Sequence, residues 1–166
     1  MVRKETEEII LWTDGSAMPN PGPGGFAVIR EYAGERPKVV VMGHESKSSN
    51  IRMEGAALIA AIKYAGKTKC EIHTDSQFWI NVLTKWAPGW AANDWHKNDE
   101  AVRDKDGKIV DWKETKIKNL DIVKKLYEIY REANVKLVWE KGHAGTELNE
   151  MADEWAKKAR EMGKAE

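Results

Sequence analysis

The chain has 166 residues, 42% of them hydrophobic, and balances 27 Lys and Arg against 27 Asp and Glu. That length suits one domain, 1–166, with a sizeable core, and a net charge of zero gives no hint of a nucleic-acid partner, so any such binding must come from local arrangement. A single cysteine, Cys70, excludes an internal disulfide and fits a reducing compartment; no stretch reaches the length of a membrane span and no apolar leader opens the chain, so a soluble, cytoplasmic protein is expected.

Residues 9–16, Ile-Ile-Leu-Trp-Thr-Asp-Gly-Ser, form an apolar run rich in β-branched and aromatic residues and too short for a typical helix. This pattern predicts a strand buried on both faces that ends on Asp14. A carboxylate there needs a cation, donors or water; taken alone, Asp14-Gly15 reads as a turn pair. Residues 18–25 hold three of the five prolines and predict a rigid turn whose glycines let a backbone approach a ligand. Residues 26–29 and 38–42 follow as strands, and three sequential strands with short connections make an antiparallel meander.

Ser48-Ser49-Asn50 offers cap chemistry for a helix over 53–62, apolar nearly all round and therefore buried. Its Glu54 reads first as a first-turn acid answering the helix dipole. Residues 70–74 predict a strand ending in Asp75, followed by a helix over 78–83, with Asp75 as ordinary junction punctuation. Cys70 in that strand is a small buried thiol. Ligands of open α/β sheets bind at the carboxyl ends of strands, so Asp14 and Asp75 share one crevice if their strands are neighbours.

A helix begins at Asn119, residues 135–139 alternate as a last strand, and Leu148, Met151, Ala152, Trp155, Ala156, Ala159 and Met162 mark a final amphipathic helix with Thr146 as its N-cap. Glu150 and Asp153 lie three apart on it, repelling each other unless a cation or donor intervenes. As an isolated pair they read as a solvated acidic edge. Residues 86–118 contain Trp86, Trp90, Trp95 and Trp112, with eight basic residues interleaved among seven acidic ones counted from Lys85 to Lys118. Most of these tryptophans are expected to build a small satellite core.

Four carboxylates in comparable settings, with their neighbours, carry a resemblance. From roughly 9 to 162 the chain closely resembles the type 1 ribonuclease H family, on Thr13-Asp14-Gly15-Ser16, Asn20-Pro21-Gly22-Pro23-Gly24-Gly25, Arg52-Met53-Glu54, Thr74-Asp75-Ser76-Gln77, and Lys141-Gly142-His143-Ala144-Gly145 followed by Asn149-Glu150 and Asp153. Each motif alone is weak, but their order and spacing together are specific. The resemblance implies an α/β, RNase H-like fold: a mixed five-stranded sheet, with an antiparallel meander of three strands plus two strands parallel to the first, and helices on both faces. It implies endonucleolytic, two-metal-ion hydrolysis of the RNA strand of RNA/DNA hybrids, giving 5′-phosphate and 3′-hydroxyl ends.

By the same resemblance Asp14, Glu54, Asp75 and Asp153 are metal ligands, His143 is a mobile group helping water or product move, and Glu150 is an assisting acid. Hard oxygen donors suit Mg²⁺, with Mn²⁺ as a substitute, and the lack of a Cys/His cluster argues against structural zinc. Crowded carboxylates without metal should have raised pKa values, so activity should fall at acid pH. Asn20, Asn50, Gln77 and Asn119 occupy family positions for sugar and phosphate contacts in the shallow groove of a hybrid, and each has a plain alternative as a turn or cap residue. Such contacts carry little base information, so sequence preference should be weak.

Where many relatives carry a basic protrusion, the near balance of charge over 85–118 implies a weaker electrostatic grip, with tryptophans as packing or stacking surface. Gly55 stands where the family tends to carry a bulkier apolar residue, at a helix-propensity cost of up to about 1 kcal/mol against Ala, and would let another segment pack closely. Ile51 replaces a polar residue. No additional hybrid-binding module, protein partner or membrane is implied, and a monomer of modest processivity is expected. The rivals are another nuclease on the same fold, such as a resolvase, and a non-catalytic hybrid-binding module.

Overall fold

The computed structural model describes residues 8–141 and 147–164. The apolar run near the start becomes β1 (Ile9–Ala17), the middle strand of the main sheet. It pairs antiparallel with β2 (Gly22–Glu31), which pairs antiparallel with β3 (Lys38–Ser48). Then come α1 (Asn50–Ala65) and β4 (Cys70–Thr74), the latter parallel to β1 on its other side. A central strand with partners on both edges and helices over both faces has no solvent-facing side, which explains its unbroken hydrophobicity.

β1 runs past Asp14, which pairs with Ala27 inside the ladder. The turn that the Asp14-Gly15 pair suggests when taken alone is therefore not there. For the same reason the predicted turn over 18–25 shrinks: Ser16 and Ala17 pair with Gly25 and Gly24, so residues 22–25 already belong to β2.

After β4 the chain forms α2 (Gln77–Asn81), a π-helical turn over Val82–Trp86, and α3 (Ala87–Ala92). The predicted helix over 78–83 is thus the start of a longer one. Pro88 accounts for the wide turn, since it has no N–H to donate and its ring crowds the carbonyl four residues earlier; the Ala87 amide reaches back to the Val82 carbonyl instead. The α2 cap is Ser76, whose hydroxyl accepts from the Trp79 amide at 3.2 Å, and not Asp75. Asp75 is thereby left for another task.

A short 3₁₀ turn, Asn98–Glu100, leads into a separate hairpin of β5 (Ala101–Arg103) and β6 (Ile109–Trp112). Then follow α4 (Leu120–Glu132), β7 (Val135–Trp139), parallel to β4, and α5 (Glu147–Lys164). The sheet order is β3-β2-β1-β4-β7, the mixed five-stranded arrangement expected. Helix α1 covers one face, with α4 against it, and α5 covers β1, β2 and β3 on the other.

Leu11, Val28, Leu58, Ile72, Trp79 and Leu126 are among the side chains of the α1-side core, while Trp12, Ile29 and Ala152 with Trp155 fill the α5 side. The satellite core expected over 86–118 is only partly there. Trp90 and Trp95 pack against the main core, Trp112 stacks on His96 at 4.9 Å, and Trp86 is 41% exposed. What orders this stretch is Glu100, 4% exposed, whose carboxylate accepts from the amides of Lys97 at 2.7 Å and Lys116 at 2.6 Å.

Candidate active site

Trp12 of β1 pairs with His73 of β4, so Asp14 and Asp75, each two residues further on, emerge side by side at the carboxyl ends of neighbouring parallel strands. Glu54 comes from α1, which crosses directly over β1. The approach depends on Gly15: a Cβ there would run into the α1 backbone at Met53 and Glu54. Gly15 therefore serves close contact, not a turn. Glu54 is also the fifth residue of its helix, too far in to be the dipole-answering acid of the first turn.

These placements bring one oxygen from each of Asp14, Glu54 and Asp75 within 4.8 Å of one another. Asp14 is 7% exposed. Burial first, then the charges of Asp75, Asp153 and Glu54, push its carboxyl up to about 9, against a partial correction from the Gly15 amide, which donates at 2.9 Å. Burial likewise raises Glu54 to about 8, helped by the Asp75 charge and a hydrogen bond with Asp75 and opposed by the Ser76 hydroxyl. Two carboxyls that resist ionisation, Asp14 and Glu54, packed against a third, Asp75, make a cluster that a cation would stabilise.

Asp153, on α5, stands outside that triad, close enough for its charge to act on Asp14, and its Oδ2 accepts from Lys157 Nζ at 3.0 Å. Glu150 is exposed one turn earlier. His143 and Thr146 lie outside the described residues.

At the start of α1, Asn20 and Asn50 interlock. Asn50 Oδ1 accepts from the Ala17 amide at 2.7 Å, and Asn20 Oδ1 accepts from the Asn50 amide at 3.1 Å. With both carbonyl oxygens so engaged, the side-chain NH₂ groups are the ones left to meet a ligand. Gln77 is exposed at the first position of α2. Asn119 sits at the start of α4 in left-handed conformation, φ 54°, without the side-chain capping bond that its sequence position suggests. A cleft of about 460 Å³ between Pro21, Lys47, Ser49, Arg52 and Asn119 lies next to the α1 N-terminus.

Sequence reasoning missed three contributors. Ser76 donates to Glu54 while capping α2. Trp139 Nε1 donates to the Asp75 carbonyl at 3.2 Å, and Arg52 joins β3 to α4. The Thr74-Asp75-Ser76 string carried a signal for the first, since Ser outranks an occupied Asp as a helix cap; the other two are long-range contacts with none.

An α/β sheet that brings together acidic groups from β1, from α1 and from the residue after β4 in one largely shielded crevice is the architecture of a metal-using phosphoryl-transfer domain. The ribonuclease H family model matches residues 6–161. A ribonuclease H of Phenylobacterium zucineum (strain HLK1) is 38% identical over 155 residues, 92% of this chain and 90% of that protein. One from Caulobacter sp. (strain K31) is 35% identical over 153 residues, 92% of this chain and 89% of that protein. Among solved structures, LC9-RNase H1, described as a type 1 RNase H with the type 2 active-site motif, superposes with a TM-score of 0.70 at 24% identity, covering 95% of this chain and 74% of that one. The chain belongs to the ribonuclease H family, and is an enzyme of that class.

Proposed function

We propose that the protein is a cytoplasmic, monomeric type 1 ribonuclease H whose residues 1–166 act as one catalytic domain, cutting the RNA strand of RNA/DNA hybrids endonucleolytically and leaving 5′-phosphate and 3′-hydroxyl ends. The observation that carries this reading is the convergence of buried Asp14 with half-buried Glu54 and Asp75 within 4.8 Å. Carboxylate oxygens are hard donors, so the set fits Mg²⁺ or Mn²⁺. Bound there, two such ions would supply an activated water and neutralise charge developing on the leaving oxygen of an in-line displacement.

The side chains then divide the labour. Asp14, Glu54 and Asp75, joined by Asp153 from α5, hold the cations, and burial keeps competing water from the crevice. Asn20, Asn50, Gln77 and Asn119 donate to 2′-hydroxyls and phosphates, fixing the register of the strand to be cut. His143 helps water or product move through the site, and Glu150 is an assisting acid. Relatives named ribonuclease H at 31–38% identity support the substrate class, and a foamy viral protease-reverse transcriptase solved with an RNA/DNA hybrid shares the fold, with a TM-score of 0.67 at 17% identity over 98% of this chain and 21% of that one.

A panel of labelled RNA/DNA hybrid, single-stranded RNA, duplex DNA and four-way junction in Mg²⁺ tests the reading. Internal cuts in the RNA of the hybrid, with phosphatase-sensitive 5′ ends, are expected. Preference for the junction would favour a resolvase, and binding without turnover a non-catalytic module.

A further inference from the structure

Arg52 stands two residues before Glu54 on α1 and uses three of its nitrogens at once. Nε donates to Glu45 Oε1 of β3 at 2.8 Å; Nη1 and Nη2 fork onto Asp121 of α4 at 2.9 and 2.6 Å, and Nη1 reaches Asn119 Oδ1 at 3.5 Å. A guanidinium has donors only, so the atom of the Asn119 amide turned toward it must be the oxygen. The Asn119 NH₂ is thereby turned the other way. Asn119 and Arg52 both line the cleft shared with Lys47, Ser48 and Ser49. Two carboxylates, Glu45 and Asp121, already answer the single charge of Arg52, so it is a poor hook for a phosphate. It is a good brace for a neighbour.

We infer that Arg52 is a positioning residue: anchored on Glu45 and Asp121, it holds the Asn119 side chain with its NH₂ toward the cleft, ready to donate to the nucleic-acid backbone of the hybrid. This rests on the proposed ribonuclease H reading and adds a role for a residue outside the carboxylate cluster. The left-handed backbone at Asn119 makes such a brace useful, because the amide is carried on a turn residue at the start of α4.

A double-mutant cycle on the full chain tests it, using Arg52→Gln, Asn119→Ala and the double variant, with Kd for a labelled RNA/DNA hybrid and separate kcat and KM. Arg52→Gln is expected to raise Kd and KM about tenfold, about 1.4 kcal/mol, while kcat stays within about twofold. In the Asn119→Ala background the same change should add less than about twofold. The dependence of Kd on salt should not change, because an already neutralised guanidinium releases no counterion when substrate binds. Equal penalties in both backgrounds, or a shallower salt dependence, would mean that Arg52 meets the substrate itself and would overturn the inference. So would a loss confined to kcat.

Thermal melts accompany each variant; if Arg52→Gln does not fold, Arg52→Lys takes its place, keeping the charge but losing the fork. A wild-type protein that neither binds nor cuts hybrid would instead remove the functional reading and this inference with it. Cleavage by wild type with an additive cycle removes this inference alone.

Discussion

Gly55 of α1 lies flush against the indole of Trp79 in α2: a Cβ on Gly55 would stand 2.7 Å from Cζ2 and 2.9 Å from Cε2 of a ring that has no solvent exposure. The same ring donates its N–H to the Ile51 carbonyl at 2.7 Å, one turn earlier on α1. Trp79 thus clamps the helix that carries Glu54 to the helix that follows Asp75.

This contact reverses the usual effect of removing a helix glycine. Ala at an interior helical position normally gains about 1 kcal/mol over Gly, but here the new methyl would also meet Ile122 Cγ2 at 2.7 Å. Overpacking a closed core costs about 1–3 kcal/mol. Gly55→Ala is therefore expected to lower stability in urea melts; a variant more stable than wild type would show that the helices part easily.

The metal-free protein should lose stability as pH rises. Asp14 and Glu54 keep their protons to about 9 and about 8 when folded, against ordinary values of 3.8 and 4.5. Between those limits the folded state binds more protons than the unfolded one, so unfolding free energy falls with increasing pH across that window. Melting temperatures in EDTA should decline from pH 5 to pH 9, and Mg²⁺ should restore more of the loss at pH 8 than at pH 5, where protons compete for the same oxygens. Melting temperatures that rise over that range in EDTA would contradict the assigned cause.

Asp14→Asn keeps the shape of the side chain but removes a carboxyl that must stay protonated to remain in the folded, metal-free crevice. In EDTA at pH 8, well above the ordinary carboxylate range, it should melt above wild type, by roughly 2–4 °C for each kcal/mol of that protonation cost removed, and Mg²⁺ should raise its melting temperature less than it raises that of wild type. A lower melting temperature in EDTA would point to a carboxylate held by a partner in the metal-free protein.

Trp86 and Phe78 flank a second cleft of about 460 Å³ with Trp90, Lys97, Lys116 and Lys118. Trp86→Ala, at a side chain 41% exposed, should leave the melting temperature nearly unchanged and weaken hybrid binding about tenfold, as expected for loss of one stacking surface worth about 1–3 kcal/mol. Unchanged affinity by fluorescence anisotropy would remove this cleft from the substrate path.

Much of the fold was legible because period and burial agree. The doubly covered β1 reads as a continuous apolar run, and the α5 stripe reads as an amphipathic helix. What eluded sequence reasoning depends on contacts between distant segments. Asp14-Gly15 looks like a turn locally, yet its conformation is set by pairing with Ala27 and Phe26 and by α1 pressing on Gly15. Glu100 is one acid among seven in a mixed-charge stretch, and only the fold shows its carboxylate gathering two backbone amides. Motif order located the three carboxylates of the crevice, and their crowding implied raised pKa values; that burial is the larger cause at Asp14 and Glu54 became visible only in the fold.

The central claim is that the Asp14, Glu54 and Asp75 crevice is a metal-dependent RNA-cutting centre. The most direct measurement is cleavage of a labelled RNA/DNA hybrid in Mg²⁺ or Mn²⁺ by wild type and by Asp14→Asn, with single-stranded RNA as control. Cleavage of the hybrid alone by wild type, and a loss of about a hundredfold or more in kcat for a variant that folds and binds hybrid, is the predicted result. Wild type that binds hybrid but cuts with neither metal, or Asp14→Asn that cuts at the wild-type rate, would contradict it.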